Sequence, residues 1–533
     1  MTLKSINRMK TLFAVVVAFV LVGAALPATY TVTNNNDSGD YSLRWAIESA
    51  NNDPGRDLIA FNIPSTGLHT IKPLTPLPKI TDPVTIDGYT QPGASPATYG
   101  GAARLQIELD GINLIGLHWD SGLNIWLVGN STIRGLVINR FGDVGIHIHD
   151  GGGNIIEGNY IGTDVTGTQD KGNYDGGIRI WNAPNNRIGG TSPAARNVIS
   201  GNDGSGVGIL LPNATGNKIL GNYIGIDASG TKDLGNEFGV VMYEGTSNNT
   251  VSPGNVISCN GDTVYGGGID ISGEGTTTNQ LIVGNLIGTN ASGSGVLGNT
   301  YGVRLMDCSG NTVKDNIVSN SNIVGITIAC DPSRFSVHDN TVTGNTICSN
   351  AVFGIQIEFS DDNLIYNNSL ISNGYMNGNL QIVDHAGVNN VFNLEKPLGG
   401  NYWSDWTGPD DNGDGFVDEP YVIWTPEGPY GEYGNQDNLP WASEDSWRNG
   451  CLIQQLIVQV EELDLPKGTE NSLMAKLENA AKKLNDQNIS AAINSLNAFI
   501  NEVEAQRGKS IPVTDADALI DAAQAIIDLL ESM

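Results

Sequence analysis

Charge is scarce in this chain, and positive charge scarcest. Only 16% of the 533 residues are charged, and 27 Lys and Arg face 57 Asp and Glu, a net charge of −30. A chain so acidic has too little positive charge to replace the counterions of a nucleic acid, which excludes that partner. Cysteine is rare as well. Cys259, Cys308, Cys330, Cys348 and Cys451 in so long a chain make no disulfide framework. Long apolar runs are missing with one exception, Thr11 to Ala28, which follows Lys4, Arg8 and Lys10 and ends in small residues around Pro27. A basic start, an apolar middle and a small-residue exit read as a secretory signal peptide over residues 1–28. The run is at the short limit for a bilayer span, so a single membrane anchor is the alternative. Membrane contact is therefore expected only through a transient signal peptide, and the mature protein is expected to be secreted or on the cell surface.

What is abundant is glycine, 68 residues, beside a 39% hydrophobic fraction that suffices for a core. The chain also repeats itself. Gly158-Asn159-Tyr160-Ile161-Gly162 returns as Gly221-Asn222-Tyr223-Ile224-Gly225 and as Gly284-Asn285-Leu286-Ile287-Gly288, 63 residues apart each time. Gly167-Thr168, Gly230-Thr231 and Gly293-Ser294 keep the same phase, as do Gly172-Asn173, Gly235-Asn236 and Gly298-Asn299. Within each unit lie pieces of about 20 residues, with short alternating strands that open on Gly116, Gly145, Gly177, Gly208, Gly239, Gly268, Gly302, Gly325 and Gly354. Strands of three to five residues punctuated by Asn and Gly do not make hairpins so regularly. They coil, each turn laying its strands parallel on the turn before, about 4.8 Å per rung. Stacked Ile and Val would fill the inside, and Asn side chains could form amide ladders at the corners. The expected architecture is mainly β, a parallel β-helix of roughly a dozen rungs.

These phrases resemble those of right-handed parallel β-helix surface proteins of bacteria and archaea. Ahead of them, Ser42 and the stretch Leu43 to Asn51 read as a short amphipathic helix with Ser42 as N-cap and Leu43, Ala46, Ile47 and Ala50 on one face. Such a helix would plug the first rung and protect an open β edge. After the coil, Gly400-Asn401-Tyr402-Trp403 and Asp437-Asn438-Leu439-Pro440-Trp441 bracket an aromatic segment that looks like the end of NosD-like β-helix proteins. Within it, Asp410, Asn412, Asp414 and Asp418 place oxygen ligands at loop positions 1, 3, 5 and 9, with Gly415 at the turn and Phe416 able to offer its carbonyl. That pattern predicts Ca²⁺. Position 12 is Tyr421 rather than the bidentate Glu of an EF-hand, so the loop is closer to other extracellular Ca²⁺ loops, with a solvated acidic turn as the alternative.

From Cys451 the pattern turns helical. Stripes at Leu452, Leu456, Val460 and Leu463, then Leu473, Leu477, Ala480 and Leu484, then Ile493, Leu496, Phe499, Ile500 and Val503, and finally Leu519, Ala522, Ile526 and Leu529 predict four helices. The module resembles the FIMAH domain of secreted bacterial proteins, which implies an attachment role and a protein partner. The organisation read from the sequence is thus a signal peptide (1–28), an N-terminal cap region (29–80), the parallel β-helix (81–400), an aromatic and Ca²⁺-loop segment (401–448) and a four-helix FIMAH-like domain (449–533).

Chemistry on such a coil must sit on its outer surface. Aligning the strands by their glycines gives an outward column in which His118 and Asp120 precede His147 and His149. Stacked rungs would bring His118 beside His147 and Asp120 beside His149. Imidazoles with a carboxylate could hold a transition metal, or Asp120 and His149 could move a proton. A solvated polar face is the third reading. Further along, Arg179, Trp181, Tyr243, Asp270, Arg304 and Glu358 mix aromatic faces with charges that could grip an extended polysaccharide or cell-surface glycan. Leu210 and Pro212 are expected as a low apolar floor between them. Asp270 and Arg304 are also a faint match to a lyase pair. The Gly-His-Gly and grouped Asp residues of polygalacturonase-like hydrolases are missing, and no organic cofactor is implied. Three functions therefore stand: carbohydrate binding, a polysaccharide lyase, hydrolase or epimerase, and a non-catalytic spacer.

Overall fold

The computed structural model describes residues 27–533 except 100, 115–119, 262–264, 274, 332, 334–336, 397, 426–434, 445–452, 454–455, 458, 461–462, 464, 486–487 and 532–533. Residues 1–26 of the expected signal peptide and Cys451 therefore lie outside the described residues, and Cys259, Cys308 and Cys348 are free.

Three parallel sheets wind along one axis, two of twelve strands and one of ten. The first runs from Thr29–Val32 to Leu364–Tyr366, the second from His69–Ile71 to Tyr402–Trp403, and the third from Leu123–Trp126 to Ile382–His385. Crossovers between parallel strands are right-handed in nearly all proteins, and the coil is a right-handed parallel β-helix. The ladder begins before residue 81, because Thr29–Val32 already pairs with Asp57–Phe61. The expected 63-residue unit is two rungs of three strands: Tyr160 pairs with Val198, which pairs with Tyr223.

Inward side chains stack in register. Ile125, Ile148, Ile180, Ile209, Met242, Ile271, Leu305, Ile328 and Ile357 form one such column, every member fully buried. At the corners, buried asparagines form the expected ladders. Asn159, Asn197, Asn222, Asn255, Asn285, Asn316, Asn345, Asn368 and Asn401 are one continuous run. In Asn222, the backbone N–H and Nδ2 both donate to Asn255 Oδ1, at 3.0 and 3.1 Å, and Nδ2 also donates to Ile188 O at 2.9 Å. A second corner carries Asn154, Asn186, Asn217 and Asn249, continued by Gln280 and Asn311. A third carries Asn173, Asn202, Asn236, Asn260 and Asn299.

Beside the third corner runs a column of glycines: Gly122, Gly145, Gly177, Gly206, Gly239, Gly268, Gly302, Gly325 and Gly354. A Cβ on any of them would sit 2.4–2.9 Å from the carbonyl oxygen one rung on. This close approach, not backbone flexibility, is why the position is glycine. It also corrects the expected alignment at two rungs: Gly122 and Gly206 hold the column position, Gly208 does not, and Gly116 lies outside the described residues.

The N-terminal helix Leu43–Asn52 forms as expected, with the Ser42 side chain accepting from Trp45 N and Leu43, Ala46, Ile47 and Ala50 buried against the first rungs. At the other end Trp403 stacks on Tyr421 at 4.0 Å. The buried carboxylate of Asp437 accepts from Asn401 N at 2.7 Å and from Trp403 Nε1 at 3.0 Å, and burial pushes its pKa up to about 6. Helices Lys467–Asn485, Ile489–Gln506 and Val513–Glu531 enclose a separate core of Leu473, Leu477, Leu496, Phe499, Val503, Leu519 and Ile526. Ile453, Leu456 and Val460 of the first expected helix join this core, while Leu452 lies outside the described residues.

The ladder generates a stability prediction. Asn222→Ala strips partners from the buried Asn197 amides and from Ile188 O, each orphan costing about 1–3 kcal/mol. Urea unfolding should show a loss of about 3 kcal/mol or more, while Asn213→Ala on an exposed turn should stay within about 0.5 kcal/mol.

Candidate functional site

The ten-strand sheet carries two outward columns whose register the strand pairing fixes. The first reads Asn124, His147, Arg179, Gly208, Val241, Asp270, Arg304, Thr327, Gln356 and Val383. The second holds Trp126, His149, Trp181, Leu210 and Tyr243, then Ser272, Met306, Ala329, Glu358 and His385. The expected placement of Arg179, Trp181, Tyr243, Asp270, Arg304 and Glu358 on one sheet is thus what the strands show.

The expected neighbours of the two histidines are different. His147 pairs with Asn124 and His149 with Trp126, because the rung before them is Leu123–Trp126. His118 lies outside the described residues. Asp120 sits half-buried ahead of that strand, its carboxyl pushed up by burial and by the nearby Asp143, so it is not the across-rung partner of His149. Gly208 and Leu210, rather than Leu210 and Pro212, occupy the following rung, since Gly206 takes the tight corner position.

At the N-terminal end of the columns, aromatic rings pile up along the coil axis. Trp126 and His149 stack at 3.8 Å, and His149 and Trp181 lie nearly parallel at 6.4 Å. Lys79 Nζ covers the free face of Trp126 at 3.2 Å. His149 Nδ1 is 2.8 Å from Asp150 Oδ2. The rings therefore use their faces on one another, and the far side of Trp181 meets the dip made by Gly208 and Leu210. Two rungs separate Trp181 from Tyr243, about 10 Å.

The charged residues of the columns are committed to partners. Arg179 donates from Nη1 to Asp143 Oδ1 at 2.9 Å and pairs through Nη2 with Asp175, and Ser121 Oγ donates to the other oxygen of Asp143 at 2.7 Å. Arg304 donates from Nε to Asp270 at 2.6 Å and from Nη2 to Tyr265 O at 2.5 Å. The Tyr243 hydroxyl lies close to the same Asp270 carboxylate. Burial first, then the Asp270 charge, raises the Tyr243 pKa, which makes it a poor base. Gln356 donates to Glu358 Oε1 at 2.7 Å. Beyond Tyr243 the surface opens into a hollow of about 470 Å³ lined by Tyr243, Glu244, Ser272, Gly273 and Thr276. Sequence reading missed Trp126, Asp143 and this hollow. The alternation Leu123-Asn124-Ile125-Trp126 was the available signal for the first. The other two come from corner residues, which carry no periodicity.

In the acidic loop, the side chains cap the loop itself. Asp410 accepts from the N–H groups of Gly413, Asp414 and Gly415, and Asp418 accepts from Asp411 N and Asn412 Nδ2. Asn412 Oδ1 accepts from Asp414 N, Asp414 pairs with Lys396, and Phe416 packs on Trp441 at 4.2 Å. The donors are all hard oxygens, the set Ca²⁺ selects. Among the described residues no group of three or more His, Cys, Asp or Glu is placed to hold a metal ion, in this loop or around His147 and His149.

His147 has a distinct electrostatic position. It is 7% exposed, and its Nε2 has no hydrogen-bond partner. Burial, then the Arg179 charge, pulls its pKa down to about 4, with Asp143 opposing and His149 and Lys79 adding to the fall. The folded state thus resists protonating a group that the unfolded chain protonates near pH 6.5. Stability should be fully present above about pH 6.5 and fall as pH drops toward 4. His147→Asn, the residue type of the adjacent rung, should remove on the order of 2–3 kcal/mol of that fall, read as a flatter dependence of urea midpoint on pH.

Comparison with known proteins follows the same division of the chain. Residues 166–408 match the family model described as periplasmic copper-binding protein (NosD), and residues 452–528 match the FIMAH domain. Among solved structures, the catalytic unit of a GH87 α-1,3-glucanase from Streptomyces thermodiastaticus aligns at 16% identity over 73% of this chain and 71% of its own, with a TM-score of 0.41. The mannuronan C-5 epimerase AlgE4 A-module of Azotobacter vinelandii aligns at 15% identity over 70% and 99%, with a TM-score of 0.38. No curated protein sequence matches. No described helix is long and apolar enough to cross a membrane. The chain is a right-handed parallel β-helix whose residues 166–408 match the NosD family and whose residues 452–528 match the FIMAH domain.

Proposed function

We propose that the ten-strand face binds an extended carbohydrate, in an exported protein whose helical module serves attachment to a protein partner. The observation that carries this reading is the dip at Gly208 and Leu210, walled by Trp181 on one side and by Tyr243 two rungs on, and continued by the hollow around Glu244 and Thr276. Its width, about 10 Å between rungs, admits a sugar ring against an apolar floor. The polar side chains beyond it suit hydroxyl groups. A linear polymer matches a surface that repeats along one axis.

Catalysis is the weaker reading for this face. A lyase or epimerase needs a free base and a free cation near it. Asp270 is buried and bound by Arg304, and Arg179 is spent on Asp143 and Asp175. Copper, named for the matched family, would require clustered soft ligands. Within residues 166–408 the histidines are His338, paired with Asp339, and His385, packed on Phe359.

Glycan-array screening followed by calorimetry tests the carbohydrate reading. Trp181→Ala should weaken binding by about 1–2 kcal/mol with an unchanged melting temperature, because the ring lies outside the Ile and Val stack. Binding unchanged in a variant of unchanged stability would favour the spacer, and product release from a bound glycan would favour the enzyme.

The loop Asp410 to Asp418 is assigned to Ca²⁺ on its donor chemistry, with Asp410, Asn412, Asp414, Asp418 and the Phe416 carbonyl as ligands. Ca²⁺ should raise the melting temperature of the native chain by mass action, and EGTA should reverse it. Asp414→Ala should abolish the response, and a wild-type melting temperature indifferent to Ca²⁺ would remove the site.

A further inference from the structure

Half-buried arginines of the coil are paired with carboxylates: Arg44 with Asp37, Arg134 with Asp87, Arg140 with Asp110, Arg179 with Asp143, Arg187 with Glu157 and Arg304 with Asp270. Arg196 is the exception among the described residues. It is half-buried, its guanidinium lies 4.2 Å over the ring of Tyr223, and Nε donates to Gly221 O at 3.3 Å. In a chain of net charge −30, where acceptors abound, an arginine held flat and left without a carboxylate is a prepared anion site.

The surroundings define what the anion is attached to. Arg196 lines a hollow of about 290 Å³ on the outer face of the second sheet, remote in the rung from the ten-strand face. The stacked outward residues Tyr160, Val198 and Tyr223 form its floor. Residues 95–99 and 101–104, joined by paired bonds between Ser95 and Arg104 and between Thr98 and Gly101, form one wall. Alanines 97, 102, 103 and 228 keep that space open. The hydroxyls of Tyr160 and Tyr223 make no hydrogen bond to another described residue. Asp164 and Asp227, whose charges reach Tyr160, are engaged by their own loops: Asp164 accepts from the N–H groups of Thr168 and Gln169, and Asp227 from those of Thr231 and Lys232 and from Ser229 Oγ.

We propose that this hollow is a subsite for a single carboxylated sugar ring, a hexuronate, whose carboxylate takes the free edge of the Arg196 guanidinium. The two tyrosine hydroxyls meet ring hydroxyls, and the alanine and valine walls cover the ring carbons. The volume is at the small end of ligand pockets, about 300–1,000 Å³, and fits one ring rather than a chain. The site is independent of the Trp181 dip, so the two can succeed or fail separately.

Ligand-observed NMR and calorimetry at low salt with D-glucuronate and D-glucose decide the matter. Glucuronate should bind, and glucose at least about tenfold more weakly, since a charge-assisted bond contributes that much. Arg196→Gln should lose about tenfold or more in glucuronate affinity at unchanged melting temperature, Arg196→Lys should recover part of it, and Asn213→Ala, on an exposed turn outside both hollows, should change nothing. Should Arg196→Gln fold poorly, Ala102→Trp fills the hollow from its exposed rim and should block glucuronate in a stable protein. Equal affinity for the two sugars, no glucuronate binding, or full binding in both the Arg196→Gln and Ala102→Trp proteins would overturn the proposal.

Discussion

One interaction sets the rest of this molecule in place: a buried asparagine whose backbone N–H and side-chain Nδ2 both donate to the Oδ1 of the asparagine one rung on. The pair of bonds satisfies an amide that would otherwise be costly to bury. It also ties backbone to side chain, so a rung can neither slide nor rotate without breaking two bonds at each of three corners. Parallel strands of two or three residues have little register preference of their own. The amide corners supply it, and the close approach they enforce is what excludes a Cβ from the glycine column.

Much of this was legible in the sequence, and the reasons differ by element. The N-terminal helix could be read because capping and amphipathicity are local: Ser42, Leu43, Ala46, Ile47 and Ala50 all take their expected places. The coil could be read because three copies in phase leave few other architectures. The rung assignment failed where two glycines compete, Gly116 against Gly122 and Gly208 against Gly206. Which glycine sits against the next carbonyl, as Gly122 and Gly206 do, is a property of the neighbouring rung and not of the local sequence. His149 consequently stacks on Trp126 rather than facing Asp120. The pairing of Asp270 with Arg304 was visible as adjacency in a column, but its burial was not.

The outer surface obeys a second rule, which the inner one makes possible. Because the register is fixed, opposite charges on successive rungs meet reliably: Asp87 with Arg134, Glu157 with Arg187, Asp270 with Arg304. Most of the half-buried arginines of the coil are consumed this way, which leaves aromatic and neutral polar groups as the main means of recognition on the ten-strand face. The repeated loops are self-contained for the same reason. Asp164, Asp227 and Asn290 each gather the N–H groups of their own turn, so they stack on one another without presenting bare charge.

The asparagine ladder also has a direction. Every amide in a corner points the same way, with its oxygen toward the N-terminal end and its N–H groups toward the C-terminal end, so the small dipoles add along the axis instead of cancelling. The coil is vectorial. Its C-terminal end finishes in donors, and Asn401, the last of its run, delivers its N–H to the carboxylate of Asp437. The opposite end finishes in acceptors, and Asn154, Asn159 and Asn173, the first of their runs, receive the backbone N–H groups of Ser131, Leu136 and Phe141. Two coils of this kind therefore cannot abut head to head through their corners, and a new pair of rungs can be accommodated in one orientation only.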